Sequence, residues 1–275
     1  MLAVAALTAS ATPATATWDL GHMTVAACAY QRLDPAVRSK IDHMTIPNPA
    51  YGQWNAGIAD DIKRDPAYTQ DKITGQDTGY SDKLVHDYWH HVGIPFIADE
   101  TPVRAPNALT QLRQFTETLS SAADDDVKSY DLVWMLHIIG YLLHTLHAKA
   151  RFSRELDDDR GGNDKDVVTV LGSGTKLRLH WNALLGSDGT LYNANLAEAA
   201  LPSPNTTKAG FFDPNLCLTE SFSLAQNTVY TPLIGNGAGR YQLDSAYEDQ
   251  TLILARSQAT LLGARRTSAI NTALK

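Results

Sequence analysis

The chain has 275 residues, with 23 Lys and Arg against 30 Asp and Glu, a net charge of −7 and 44% hydrophobic residues. That composition excludes wholesale disorder, and the length suits one large domain or two small ones. The acidic balance excludes a general basic surface for gripping nucleic acid. It leaves open an enzyme whose phosphate-binding cations are bound metal ions.

In chain order, Leu2 to Ala16 is small and apolar and ends in Ala14-Thr15-Ala16. This reads as a secretory h-region with an A-x-A cleavage site, too short to span a bilayer as a mature helix. The first basic residue is Arg32, so a positive n-region is missing. The expected division is residues 1–16 as signal peptide and 17–275 as the mature domain, exported to the periplasm or medium, with Thr17 at the new N-terminus. No later run is apolar enough to cross a membrane.

Gly21 to Leu33 reads as an amphipathic helix, and Pro35 opens another, because proline suits a first helical turn. Gly52 to Lys63 is a third helix. Ile73 to Tyr88 is polar and loop-like. Leu109 to Ala122 is helical and runs into Asp124-Asp125-Asp126, most simply a solvated surface turn. Tyr130 to Lys149 is the strongest helical segment: Leu132, Leu136, Ile139, Leu143 and Leu146 step by four and three, giving one core stripe. Arg151 to Gly174 is loop-like, and Phe222 to Tyr230 and Leu243 to Ala273 are helical again. Strand-type alternation is scarce, and no repeat or linker divides the chain. The fold class expected is all-α, a single mostly helical domain. Cys28 and Cys217 are too few for a disulfide framework; one bridge or two buried thiols both fit.

The nine histidines are His22, His43, His86, His90, His91, His137, His144, His147 and His180. On this helix His137, Tyr141, His144 and His147 share roughly 120° of arc beside the leucine stripe, at about 100° per residue. A nitrogen-rich strip next to a buried face is where a helical bundle places a metal. With Asp60 and His90 from elsewhere in the chain, a metal site is favoured over hydrogen-bonded interfacial histidines.

A set of segments in fixed order sharpens this expectation. They are Gly21-His22-Met23-Thr24-Val25-Ala26, Ala59-Asp60-Asp61-Ile62-Lys63, Trp89-His90-His91-Val92, His137-Ile138-Ile139-Gly140 and Leu146-His147-Ala148. Asp159-Arg160-Gly161-Gly162-Asn163, Trp181-Asn182-Ala183-Leu184-Leu185-Gly186 and the tail from Ala246 to Asn271 complete it. From Thr17 to Asn271 the chain resembles the zinc-dependent, single-strand-preferring nucleases of the S1 and P1 type, a family related in fold to bacterial zinc phospholipase C.

The resemblance implies a helical fold around as many as three zinc ions. It also implies hydrolysis of phosphodiester bonds in RNA and single-stranded DNA, and of 3′-nucleotides. A zinc pair lowers the pKa of a shared water, and a third zinc neutralises the leaving oxygen. Carried over residue by residue, the first zinc would take Asp60, His90 and His137, with Asp60 also orienting the attacking water. The second would take His147. The third would take His22 and the mature N-terminus, whose ligand atoms are backbone, so that Thr17 can stand where the family has Trp.

Three positions depart from the family pattern. The aspartate that bridges two zincs is replaced by Tyr141, whose single phenolic oxygen cannot bridge as a carboxylate does. The ligand pair of the H-x-x-W-D motif aligns without a gap onto Arg178 and Asn182, a permanent cation and a weak neutral donor. The first zinc keeps a plausible three-ligand set, and the second keeps His147 alone. His180, two residues along, and His144, between His137 and His147, are the possible replacements. Arg178 can instead hold a phosphate through a bidentate contact, or pair with Asp60.

The expectation is therefore a nuclease with a depleted metal site. A non-catalytic nucleotide- or metal-binding protein is the second reading, and a phospholipase-like esterase the third. Single-stranded nucleic acid or a nucleotide is the expected partner, without membrane insertion. Asn205-Thr206-Thr207 fits a glycosylation acceptor.

Overall fold

The computed structural model describes residues 19–45, 70–71, 76–77, 94–95, 108–143, 145–146, 149–150, 159–186, 190–235, 237 and 239–275. The expected leader, Thr17, the expected helix Gly52–Lys63, most of the loop Ile73–Tyr88, and Asp60, His90, His144 and His147 lie outside them.

Helices dominate, as expected. They are α1 (Asp19–Arg32), α2 (Pro35–Thr45), α3 (Ala108–Ser120), α4 (Asp125–Leu143), α5 (Leu177–Asn182), α6 (Leu191–Ala199), α7 (Thr206–Ala209), α8 (Pro214–Leu224) and α9 (Ser245–Leu274). Their starts follow capping chemistry. Thr190 accepts from the Asn193 N–H, Asn205 from Lys208, Asp213 from Asn215 and Leu216, and Asp244 from Tyr247. Each satisfies a backbone donor that has no partner within its helix. Asn205, the acceptor of the glycosylation pattern, is thus a helix cap.

Among the described residues the strands are short. β1 (Gln70–Asp71) pairs antiparallel with β2 (Gln76–Asp77), and β3 (Ile94–Pro95) pairs parallel with β4 (Lys149–Ala150). β5 (Asp166–Val168) pairs antiparallel with β6 (Gly174–Lys176) and parallel with β7 (Arg240–Gln242). The loop expected over Arg151–Gly174 therefore contains β5 in its described part. Three residues are too few for period-two alternation to be read from sequence.

Two further expectations need correction. The acidic run is not all turn: Asp125 and Asp126 are exposed in the first turn of α4, where negative charge complements the helix dipole. The helix expected to reach Lys149 ends at Leu143, and Thr145 and Leu146 lie in a turn. The physical cause is that the core has two parts. Trp134, Met135, Ile138, Ile139 and Leu142 of α4 pack with Leu112, Phe115 and Leu119 of α3. Leu146 instead joins Val167, Leu177, Trp181, Val229 and Tyr230 in a second cluster. A straight helix could not deliver Leu146 there, so the stripe breaks. His137 and Tyr141 lie on α4, and His144 and His147 lie outside the described residues.

Helix α1 is central: every residue from His22 to Ala29 is buried. It packs against α9, and the Thr267 hydroxyl of α9 donates to the Ala29 carbonyl at 3.0 Å where the two backbones approach. Gly263 of α9 marks the closest point. A Cβ there would collide with Cys28 Sγ and lie 2.7 Å from Cys28 Cβ. Gly263→Ala is therefore expected to cost about 1–3 kcal/mol through overpacking, despite alanine's better helix propensity. Urea denaturation checks this; an unchanged midpoint would show that α1 and α9 can part without loss. Gly21→Ala, whose nearest new contact is 3.8 Å away at Leu185 Cδ1, is the tolerated control.

Cys28 and Cys217 are both buried and free. Burial pushes both thiols up, Cys217 to about 11, so both are protonated at neutral pH.

Candidate functional site

A cavity of about 80 Å³ opens where α1, α4, α5 and α9 meet. On that measure a water needs roughly 10–15 Å³, so the space takes several waters or a small anion. His22 comes from α1, Gly140 from α4, Thr145 from the turn after it, Asn182 from α5, and Gln258 and Arg266 from α9. Apolar walls are supplied by Val25, Trp181, Leu185, Leu254 and Leu262.

The short α5 is held in place by a glycine-rich turn. Arg160, Gly161 and Gly162 take φ values of 49°, 62° and 84°, a region glycine enters without steric cost. The Gly162 carbonyl accepts from the backbone N–H of Arg178 at 3.3 Å, and a Cβ on Gly162 would lie 3.3 Å from that same nitrogen. Asp159, fully buried at the start of the turn, accepts from Tyr230 Oη at 2.7 Å. Trp181 Nε1 donates to Tyr247 Oη at 3.0 Å, and Tyr247 Oη donates to the Val229 carbonyl at 3.0 Å. These bonds fix which face of α5 meets the cavity.

Charge is distributed unusually here. Arg178 is half-buried, and its Nη1 donates to the carbonyl of Leu146 at 3.3 Å. A guanidinium thus sits against the backbone immediately before His147. Arg266 is only 1% exposed and, among the described residues, forms neither a hydrogen bond nor an ion pair; its Nε is buried without a partner. Burial pushes its pKa down to about 9, with the buried Cys28 opposing. It remains cationic at neutral pH. A methyl on Gly140 would lie 2.6 Å from Arg266 Nη2 and 3.0 Å from Nδ1 and Cε1 of His22. Guanidinium and imidazole therefore crowd the same face of Gly140, which only glycine leaves free. Around them Thr145 Oγ1, Asn182 Oδ1 and Gln258 Oε1 are buried without hydrogen-bond partners.

The structure brings together only part of the expected site. His22 and Asn182 line the cavity, and Arg178 and His180 share α5 with Asn182. The His180 ring lies 6.4 Å from that of Tyr247, centroid to centroid, and is not among the cavity's lining residues. Burial lowers its pKa, with Glu248 opposing, so it is neutral at pH 7. His137 and Tyr141 lie on α4. Thr17, Asp60, His90, His144 and His147 lie outside the described residues.

The donors at the described positions do not fit zinc. Arg178 is a permanent cation and Asn182 a weak neutral donor, and Arg266 sets a fixed positive charge beside His22. No group of three or more His, Cys, Asp or Glu side chains suited to a metal occurs among the described residues.

Arg266 escaped the sequence reading. Its signal was nonetheless present: Leu254, Gln258, Leu262 and Arg266 step by four along α9, which places a cation on a face that also carries leucines.

A family model described as S1/P1 nuclease matches residues 17–275. No curated protein matches the sequence significantly. Among the described residues no helix is long and apolar enough to cross a membrane.

Proposed function

The chain belongs to the S1/P1 nuclease family, and from that membership we propose that it acts on phosphodiesters of single-stranded DNA and RNA through a depleted metal site, with weakened turnover. The observation that carries this reading is Arg178, whose guanidinium lies against the Leu146 carbonyl, beside the one ligand left for the second zinc. A fixed cation there repels a metal ion, and at Asn182 a neutral amide replaces a carboxylate. One zinc, held by Asp60, His90 and His137, is the metal that the remaining residues support best. When bound, such an ion polarises phosphate oxygens and acidifies water.

A signal peptide over residues 1–16, export, and a mature N-terminus at Thr17 complete the proposal. The small apolar run ending at Ala14-Thr15-Ala16 supports them. A second reading, a binding protein for nucleotides without turnover, is favoured by the same guanidinium, since arginine grips phosphate without activating water.

The test is zinc per chain on untagged protein beginning at Thr17, measured beside hydrolysis of single-stranded DNA. One zinc with slow, chelator-sensitive cleavage is the expected result. No zinc and no cleavage would leave the binding reading. Close to three zincs with fast cleavage would overturn the depleted site and assign rescuing roles to His144, His180 or Tyr141.

A further inference from the structure

Arg265 and Arg266 are neighbours on α9, and their surroundings differ sharply. Arg265 Nη1 meets Glu220 Oε2 at 2.6 Å, and its Nε donates to the Lys208 carbonyl at 3.0 Å. Arg266 points the other way, over Gly140 and into the cavity, and meets no acid among the described residues. Water can satisfy its N–H groups, but water does not neutralise its charge. A buried cation without a counter-ion is costly, and proteins ordinarily pair it. The groups around it lack only a ligand. Thr145 Oγ1 can donate or accept. Asn182 and Gln258 each carry an amide that offers its oxygen, or its NH₂ when rotated by 180°. Convergent polar atoms in an otherwise apolar cavity are the usual make-up of a small-molecule site.

We propose that this cavity is an anion site in which Arg266 binds a phosphate-type oxyanion, with Thr145, Asn182 and Gln258 completing its hydrogen bonds. The occupant is free phosphate or the phosphate group of a mononucleotide. The site needs no metal and no hydrolysis, so it stands whether or not the protein cleaves nucleic acid. It explains why Gly140 carries no side chain: any Cβ there would displace the guanidinium. It also gives Asn182 a role as an uncharged partner, since an aspartate at that position would repel the ligand.

The experiment follows thermal unfolding and Trp fluorescence of the full mature chain in phosphate-free buffer. The titrants are inorganic phosphate, adenosine 3′-monophosphate and adenosine. Phosphate and the nucleotide are expected to raise the melting temperature, and adenosine is not. Stabilisation by phosphate alone assigns free anion as the ligand; a much larger effect of the nucleotide assigns the nucleotide. Arg266→Leu is expected to weaken binding by more than about tenfold, the usual result of removing one partner of a buried charge pair. Without ligand that variant should melt no lower than the wild type, because an unpaired buried charge has been removed. Should Arg266→Leu fail to fold, Gln258→Leu, which keeps the cation, is expected to weaken binding by a smaller factor. No stabilisation by either phosphate compound, an equal effect of adenosine, or unchanged affinity in the variants would overturn the site.

Discussion

The triple variant Tyr141→Asp, Arg178→His and Asn182→Asp is expected to gain at least one zinc per chain and to cleave single-stranded DNA about a hundredfold faster. The magnitude follows from what a metal does at phosphorus. A Lewis acid on a phosphoryl oxygen contributes several kcal/mol to the transition state, and about 2.7 kcal/mol is a hundredfold in rate. Each change has its own physical reason. Arg178→His removes the guanidinium now bonded to the Leu146 carbonyl and offers a neutral ligand nitrogen in place of a fixed cation. Asn182→Asp supplies charge at an oxygen that is buried without a partner. Tyr141→Asp exchanges a phenol for a carboxylate four residues after His137, on the same helix. Metal analysis and a single-strand cleavage assay check it. Unchanged zinc content would mean that these positions are not the ligand positions.

Loss of Glu220 is expected to be the most damaging single change to stability. Its carboxylate joins Arg265, 1% exposed, to Lys208, with contacts of 2.6 Å and 3.1 Å. Glu220→Ala leaves a buried guanidinium holding only the Lys208 carbonyl and the neutral Cys217 thiol. Breaking a buried pair from one side costs about 3–5 kcal/mol, measurable by urea denaturation at pH 7.

The pH dependence has a definite sign. Burial alone would raise the Glu220 pKa, but hydrogen bonds from Arg265 and Lys208 outweigh it and hold the carboxyl below its ordinary 4.5. The folded state therefore binds this proton less readily than the unfolded state. The resulting stability is complete above pH 4.5 and is lost as pH falls through the lower, folded value. Glu220→Gln should thus be far less stable than the wild type at pH 7, and the difference should shrink below about pH 4. A difference that stays constant down to pH 3 would remove the pair as its cause.

The sequence by itself determined the helical class, the starts of α1, α2 and α3 to within about two residues, and the family. Periodicity, capping residues and proline act within a few residues, so they can be read without knowing what lies across the fold. It also carries the expectation of a depleted metal site, because Tyr141, Arg178 and Asn182 lack the donor chemistry of a histidine or carboxylate and ligand chemistry belongs to the residue type.

Tertiary structure alone decided three things. The leucine stripe continues to Leu146 in sequence, yet α4 ends at Leu143 because Leu146 belongs to a different cluster. β5 and β6 form a local hairpin, but β7 exists only by pairing with β5, Asp166 with Arg240, across more than seventy positions, which three-residue strands do not announce. Arg265 and Arg266 read alike in sequence. One meets Glu220 and the other an apolar cavity over a bare Gly140, because consecutive residues on a helix face directions about 100° apart.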